Sequence, residues 1–234
     1  MTYPGILYNT LVCFISFAAS LAAFFVLRKK RKKKELGFPA SLDQFLFWFG
    51  IMWFFIALRN FFAWQGRPDL DLLIFKWFAG PLTYLHIIPL FFYFGWSFFK
   101  DKRARLGFGY FFAVIILVAT GALIAGGVVP GEMTYWGTDP APNSLAGKIF
   151  QLGVILPFLA CAAGETIKRL KKLKETGEVT DKKRFGFAVA FLIYFLIGVF
   201  DALGGATGWK LLLSRGGMTL VPLVIYIFAT LGEE

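Results

Sequence analysis

Arg59, Asn60, Lys76, His86, Glu165 and Asp201 are polar or ionisable side chains inside, or at the edges of, long apolar runs. An ionisable group held in a bilayer costs about 2.5–3.5 kcal/mol on insertion scales, so it is normally paired or functional. Arg59 and Asp201 are expected at similar depth. A salt bridge between them would act as a staple between helices, or as the floor of a ligand pocket. Snorkelling of Arg59 to the outer interface is the remaining alternative. Asn60, Lys76, Trp53, Trp77 and Tyr84 lie on the same two runs as Arg59 and complete the candidate ligand site. Two cations against one acid favour an anionic or zwitterionic ligand. The same Trp and Tyr residues would also serve as an interfacial anchoring belt.

His86 is the single histidine and lies between Pro81 and Pro89. Its imidazole either bonds a backbone carbonyl freed by Pro89 or contacts a ligand or proton path. One histidine supplies neither a zinc site nor a bis-His haem site. The chain has no HExxH, P-loop or GxGxxG motif and no carboxylate pair within one run. No catalytic residue, metal or cofactor is therefore expected, and an enzyme is not.

These residues need a frame, and the composition names it. The 234 residues are 58% hydrophobic and only 17% charged, with 30 Phe. A soluble domain carries about 25% charged residues. Disorder requires low hydrophobicity. The expectation is an all-α polytopic membrane protein, one domain over residues 1–234. Seven runs reach the ~20 residues a span needs: 5–27, 42–64, 74–99, 108–129, 146–167, 186–207 and 212–231. The seventh is interrupted near its start by Arg215-Gly216-Gly217. The first run is too long for a signal-peptide core and reads as a retained span.

The net charge is +11. The basic residues fall in clusters between apolar runs, which argues against nucleic acid. Arg28 to Lys34, Lys100 to Arg105 and Lys168 to Arg184 hold most of the Lys and Arg, all on one side of the membrane. By the positive-inside rule the N-terminus lies outside and the C-terminus in the cytoplasm. A bacterial cytoplasmic membrane is the expected location. Cys13 and Cys161 fall near opposite faces, so no disulfide is expected.

The longest outer loop, 130–146, reads as a solvated connector or as a cap over a cavity. Pro81, Pro89, Pro157 and Pro222 should distort their spans. Ser16, Ser20 and Ala23 mark a close helix contact. Gly204 to Gly208 would unwind the end of span six. A faint repeat at an offset of 140 residues pairs Lys32-Lys33-Lys34-Glu35 with Lys172-Leu173-Lys174-Glu175, and Pro81 nearly with Pro222.

The ordered pattern resembles the seven-transmembrane N-terminal sensor module of bacterial histidine kinases and diguanylate cyclases. The basic block Arg28 to Lys34, the aromatic Phe45 to Phe49, the stretch Phe75 to Pro81 with Pro89, the basic loop before the last pair and Pro222 carry the resemblance. It implies a sensor or receptor-like module that binds a small ligand from outside and signals through the last helix to a cytoplasmic effector. It assigns no ligand-binding residue. Two other readings stay open. One is a small-solute transporter with parallel three-helix repeats, similar in layout to the SWEET sugar transporters. The other is a structural subunit packed against a partner membrane subunit.

Overall fold

The computed structural model describes residues 3–32, 39–131, 133–138, 140–202 and 209–231, without the side chains of Asp201 and Ala202. Seven helices are long and apolar enough to cross a membrane, as in an integral membrane protein. They are Pro4–Lys32, Ser41–Trp64, Pro68–Phe98, Lys102–Gly126, Ser144–Thr176, Val179–Phe200 and Trp209–Thr230, referred to below as helices one to seven. Each overlaps most of one of the seven expected runs.

Several boundaries differ from the apolar runs, for local reasons. Helix three starts at Pro68, with Asp69 and Asp71 in its first turn. Proline suits the first helical position, and acids suit the positive end of the helix dipole. Helix five continues to Thr176 and closes on Gly177 at φ 64°, a left-handed cap that glycine adopts without strain. Helix seven starts at Trp209, so Arg215-Gly216-Gly217 lies within it rather than interrupting it. Its break falls at Thr219, just before Pro222. The run Gly204 to Gly208 lies outside the described residues.

Consecutive helices pack side by side, and helix seven returns to helix one, which closes a ring. Helix three is the most deeply buried and touches helices two, four and five. Helices one and two form the largest interface. Ser16, Ser20 and Ala23 of helix one are buried as expected. A Cβ on Gly50 would stand 3.2 Å from Ser20 Cβ, so small side chains set this close approach.

The phenylalanines divide between core and surface. Phe45, Phe49, Phe91, Phe94, Phe158 and Phe191 are buried. They meet in stacked and edge-on pairs, such as Phe91 on Phe112 with centroids 4.0 Å apart. Such pairs each contribute about 0.5–1.5 kcal/mol beyond their burial. Outside, helix four presents Tyr110, Phe111, Val114, Leu117 and Val118, each more than half exposed. An apolar face of this kind, repeated on the other helices, suits lipid rather than water.

The prolines act in two ways. Pro81 and Pro157 each follow a π turn, Phe75–Ala79 and Gln151–Ile155. Proline lacks an N–H and its ring crowds the carbonyl four residues back. The ladder widens by one residue instead of breaking: the Gly80 N–H bonds Phe75 O, and Leu156 N–H bonds Gln151 O. Pro89 and Pro222 instead follow short interruptions, at His86–Ile87 and at Thr219. The suspected repeat pairs Pro81 with Pro222, yet their backbones differ.

The loop between helices four and five is a folded cap. Strands β1 (Val128–Val129) and β4 (Ala141–Pro142) pair antiparallel, as do β2 (Met133–Thr134) and β3 (Gly137–Thr138). The Trp136 carbonyl accepts from Asn9 Nδ2 at 2.7 Å. Thr138 is buried. The loop therefore closes the end of the bundle where helix one begins, called the N-terminal face below.

Candidate functional site

Two adjoining sites emerge beneath that cap. The upper one is polar. Arg59 on helix two is only 2% exposed. Its Nε donates to Asp71 Oδ1 at 2.7 Å, and its Nη2 donates to Thr138 O at 2.9 Å and Thr138 Oγ1 at 2.8 Å. The Thr138 hydroxyl donates in turn to Asp71 Oδ2. The guanidinium lies 4.9 Å from the Phe75 ring centroid. Charge, hydrogen bonds and a π face all converge on one cation, which is how a buried arginine becomes tolerable. The acid described beside Arg59 is Asp71. The Asp201 side chain, the expected partner, lies outside the described residues.

Beside this pair, the Asn60 amide Nδ2 stands 3.7 Å from Cys13 Sγ, and Cys13 Sγ stands 3.8 Å from Asn9 Oδ1. Arg215 on helix seven lies against the same thiol. Asn60 Oδ1 and Arg215 Nη1 are buried and make no hydrogen bond among the described residues. Both cysteines are free, as expected.

The lower site is an apolar cavity of about 120 Å³ between helices two, three, five, six and seven. Met52, Trp53, His86, Phe158, Tyr194 and Met218 are among its walls. The His86 Nδ1 donates to Leu82 O at 2.7 Å, since a carbonyl only accepts, and Nε2 shares a hydrogen bond with the Tyr194 hydroxyl at 2.7 Å. In the neutral imidazole this places the proton on Nδ1 and makes Nε2 the acceptor. Its carbonyl partner is not the one expected. Pro89 withholds an N–H from Leu85, whereas Leu82 lies in the preceding turn. Trp53 Nε1 is buried without an acceptor among the described residues. Tyr84 stacks on the cavity residue Phe150, centroids 4.0 Å apart, and its hydroxyl has no partner.

The structure therefore gathers Trp53, Tyr84 and His86 at the cavity, with Arg59 and Asn60 above it. Lys76 and Trp77 do not join them. Trp77 is 51% exposed, and Lys76 Nζ stands 5.3 Å from its ring. Ile74 and Ala79 are buried on either side of the π turn, whereas Trp77 and Phe78 between them are exposed.

A third polar cluster lies at the opposite, basic end. Glu165 on helix five is fully buried. It accepts from Arg169 Nε at 2.6 Å, from the Tyr93 hydroxyl at 3.3 Å and from the Ser97 hydroxyl. Both carboxylate oxygens are satisfied, so this cluster ties helix three to helix five and offers no open group.

Asp71, Thr138, Cys13 and Arg215 are the site residues the sequence reading missed. A signal existed for two of them. Pro68 followed by Asp69 and Asp71 marks a helix start. Leu211, Ser214, Arg215 and Met218 recur at i, i+3, i+4 and i+7, the spacing of one buried helical face. Thr138 arrives from a loop and Cys13 from a run of neutral residues, and nothing local singles them out.

Compared with protein-family models, with curated proteins and with solved structures, the chain has no significant match. The resemblance to sensor modules rests on the sequence pattern alone.

Proposed function

We propose that this chain is a membrane-embedded sensor or receptor-like module that takes a small ligand into the cavity between its helices. It would sit in a bacterial cytoplasmic membrane with the N-terminal face outside, because the basic clusters favour the cytoplasm. The carrying observation is the cavity itself. Interiors are normally packed to crystal density with few voids larger than water. Here about 120 Å³ stands open beside an unpartnered Trp53 Nε1 and a His86–Tyr194 pair. Mostly apolar walls with a few polar groups are the ordinary make-up of a small-molecule site.

The output would run through helix seven. Met218 is a cavity wall, and the helix breaks at the next residue. Thr219 shares a 2.6 Å hydrogen bond with Ser16 on helix one. At the other end, Lys30 Nζ donates to Ala229 O at 2.6 Å. A ligand pressing on Met218 would bias the angle at this break, and the lower half of helix seven would carry the change to a cytoplasmic partner.

The test uses hexanol as an apolar probe and thermal unfolding as readout. A ligand that binds only the folded state raises its stability by mass action. Gly198→Leu should fill the cavity, since a Cβ there meets only Met218 Cε at 3.6 Å; Ile56→Phe is a second filling variant. Hexanol should raise the Tm of the wild type more than that of either variant. An equal response in all three would mean that hexanol acts through the detergent and that the cavity binds nothing.

A further inference from the structure

We infer that Arg215 receives the carboxylate head of a small amphiphilic anion whose apolar tail, about six carbons long, fills the adjoining cavity. The inference deepens the proposed sensor function and rests on that reading of the cavity. It begins from the charges of the described residues. Among the described residues, Asp71 is the acid paired with Arg59. Arg215 is 5% exposed, and among the described residues no carboxylate is within ion-pair distance of it. The groups described at its side, Cys13 and Asn60, are neutral. An uncompensated guanidinium in a protein interior is costly, and more so within a bilayer. An anion removes that cost.

The geometry around Arg215 suits a carboxylate. A guanidinium offers parallel N–H donors in a fork that matches two carboxylate oxygens. Nη1 is available for one of these bonds. Asn60 is fully buried, and among the described residues its amide makes only the long contact to Cys13 while Oδ1 has no partner. Turning that amide about its last torsion would present its Nδ2 to the same anion.

Helical register joins this head site to the cavity. Met218 lies three residues after Arg215, and Ile56 lies four before Asn60, so each is one turn along the same face. Both are cavity walls. Head and tail positions are thus separated by about one helical pitch, about 5.4 Å. The volume sets the tail. A cavity of about 150 Å³ holds benzene, so about 120 Å³ suits about six carbons. Above, a Cβ on Gly137 would stand 3.2 Å from Asn9 Nδ2 and 3.8 Å from Asn60 Oδ1, so the β2–β3 hairpin covers the head site from the N-terminal face.

The experiment compares hexanoate, hexanol and chloride in thermal unfolding of the full chain at neutral pH, where hexanoate is ionised. Hexanoate should stabilise the wild type at a concentration at least about tenfold lower than hexanol, the worth of one charge-assisted hydrogen bond. Arg215→Gln should abolish that advantage and leave the hexanol response. Arg215→Lys, which keeps the charge and loses the fork, should retain part of it. The wild-type comparison stands even if Arg215→Gln does not fold. Equal potency of hexanoate and hexanol on the wild type would overturn the anion site and leave the cavity reading intact. No response to either, with Gly198→Leu behaving alike, would remove both. Chloride that stabilises the wild type and blocks hexanoate would make Arg215 a site for inorganic anions and overturn the amphiphile.

Discussion

Arg59 and Asp71 hold each other where water scarcely reaches, so losing either one takes a described ion-pair partner from a buried charge. Removing one partner of such a pair costs about 3–5 kcal/mol, whereas replacing both by apolar residues is often close to neutral. Arg59→Met and Asp71→Leu should therefore each lower the Tm sharply, and the double variant should recover most of the loss. Additive losses in the double variant would show that the two side chains do not act as a unit. The same logic applies at the basic end. Arg169→Met should be more damaging than Lys172→Met, because Glu165 is fully buried while the Lys172–Asp181 bridge is half exposed at Lys172. Equal effects on Tm would contradict this ranking. Arg59 and His86 were legible in the sequence because a charge or a lone imidazole stands out in an apolar run. Asp71 was not, because the apolar run begins after it and the helix begins before it.

At the scale of elements, the β2–β3 hairpin is the part that depends most on one backbone position. Gly137 has φ 144°, a region in which other residues are strained, and the space beside it is taken by Asn9. Gly137→Ala should loosen the hairpin at a cost of about 1–3 kcal/mol. In a Cys161→Ser background, the rate at which a small polar thiol reagent modifies Cys13 should then rise severalfold. An unchanged rate would mean that the hairpin does not shield this site. Helix existence was easy to read, since each span is long and apolar. Helix starts were harder, because caps and first-turn acids lie in polar segments that hydropathy discards. The π turns at Phe75–Ala79 and Gln151–Ile155 were out of reach: the sequence announces that proline will distort a helix but not whether the ladder widens or breaks.

At the scale of the molecule, seven apolar helices, an apolar outer surface and one end crowded with lysine and arginine form one consistent picture. If the basic end faces the cytoplasm, a cysteine introduced at Tyr135 should react with an impermeant reagent from outside, and one at Lys174 should not. Tyr135 is exposed on the hairpin, and Lys174 lies in the last turn of helix five. Reversed accessibility would invert the bundle and place the ligand site on the cytoplasmic side. The overall bundle was legible because hydropathy has a period and a length. The cavity was not, since a void depends on how side chains from five helices meet.

The central claim is that a small molecule occupies that void. Native mass spectrometry of the protein, released gently from its own membrane, tests this most directly. The account predicts a retained small molecule at one-to-one stoichiometry in the wild type and its loss in Gly198→Leu. Release without any small molecule, in stable company with other membrane subunits, would contradict it and make the chain a scaffold for those partners.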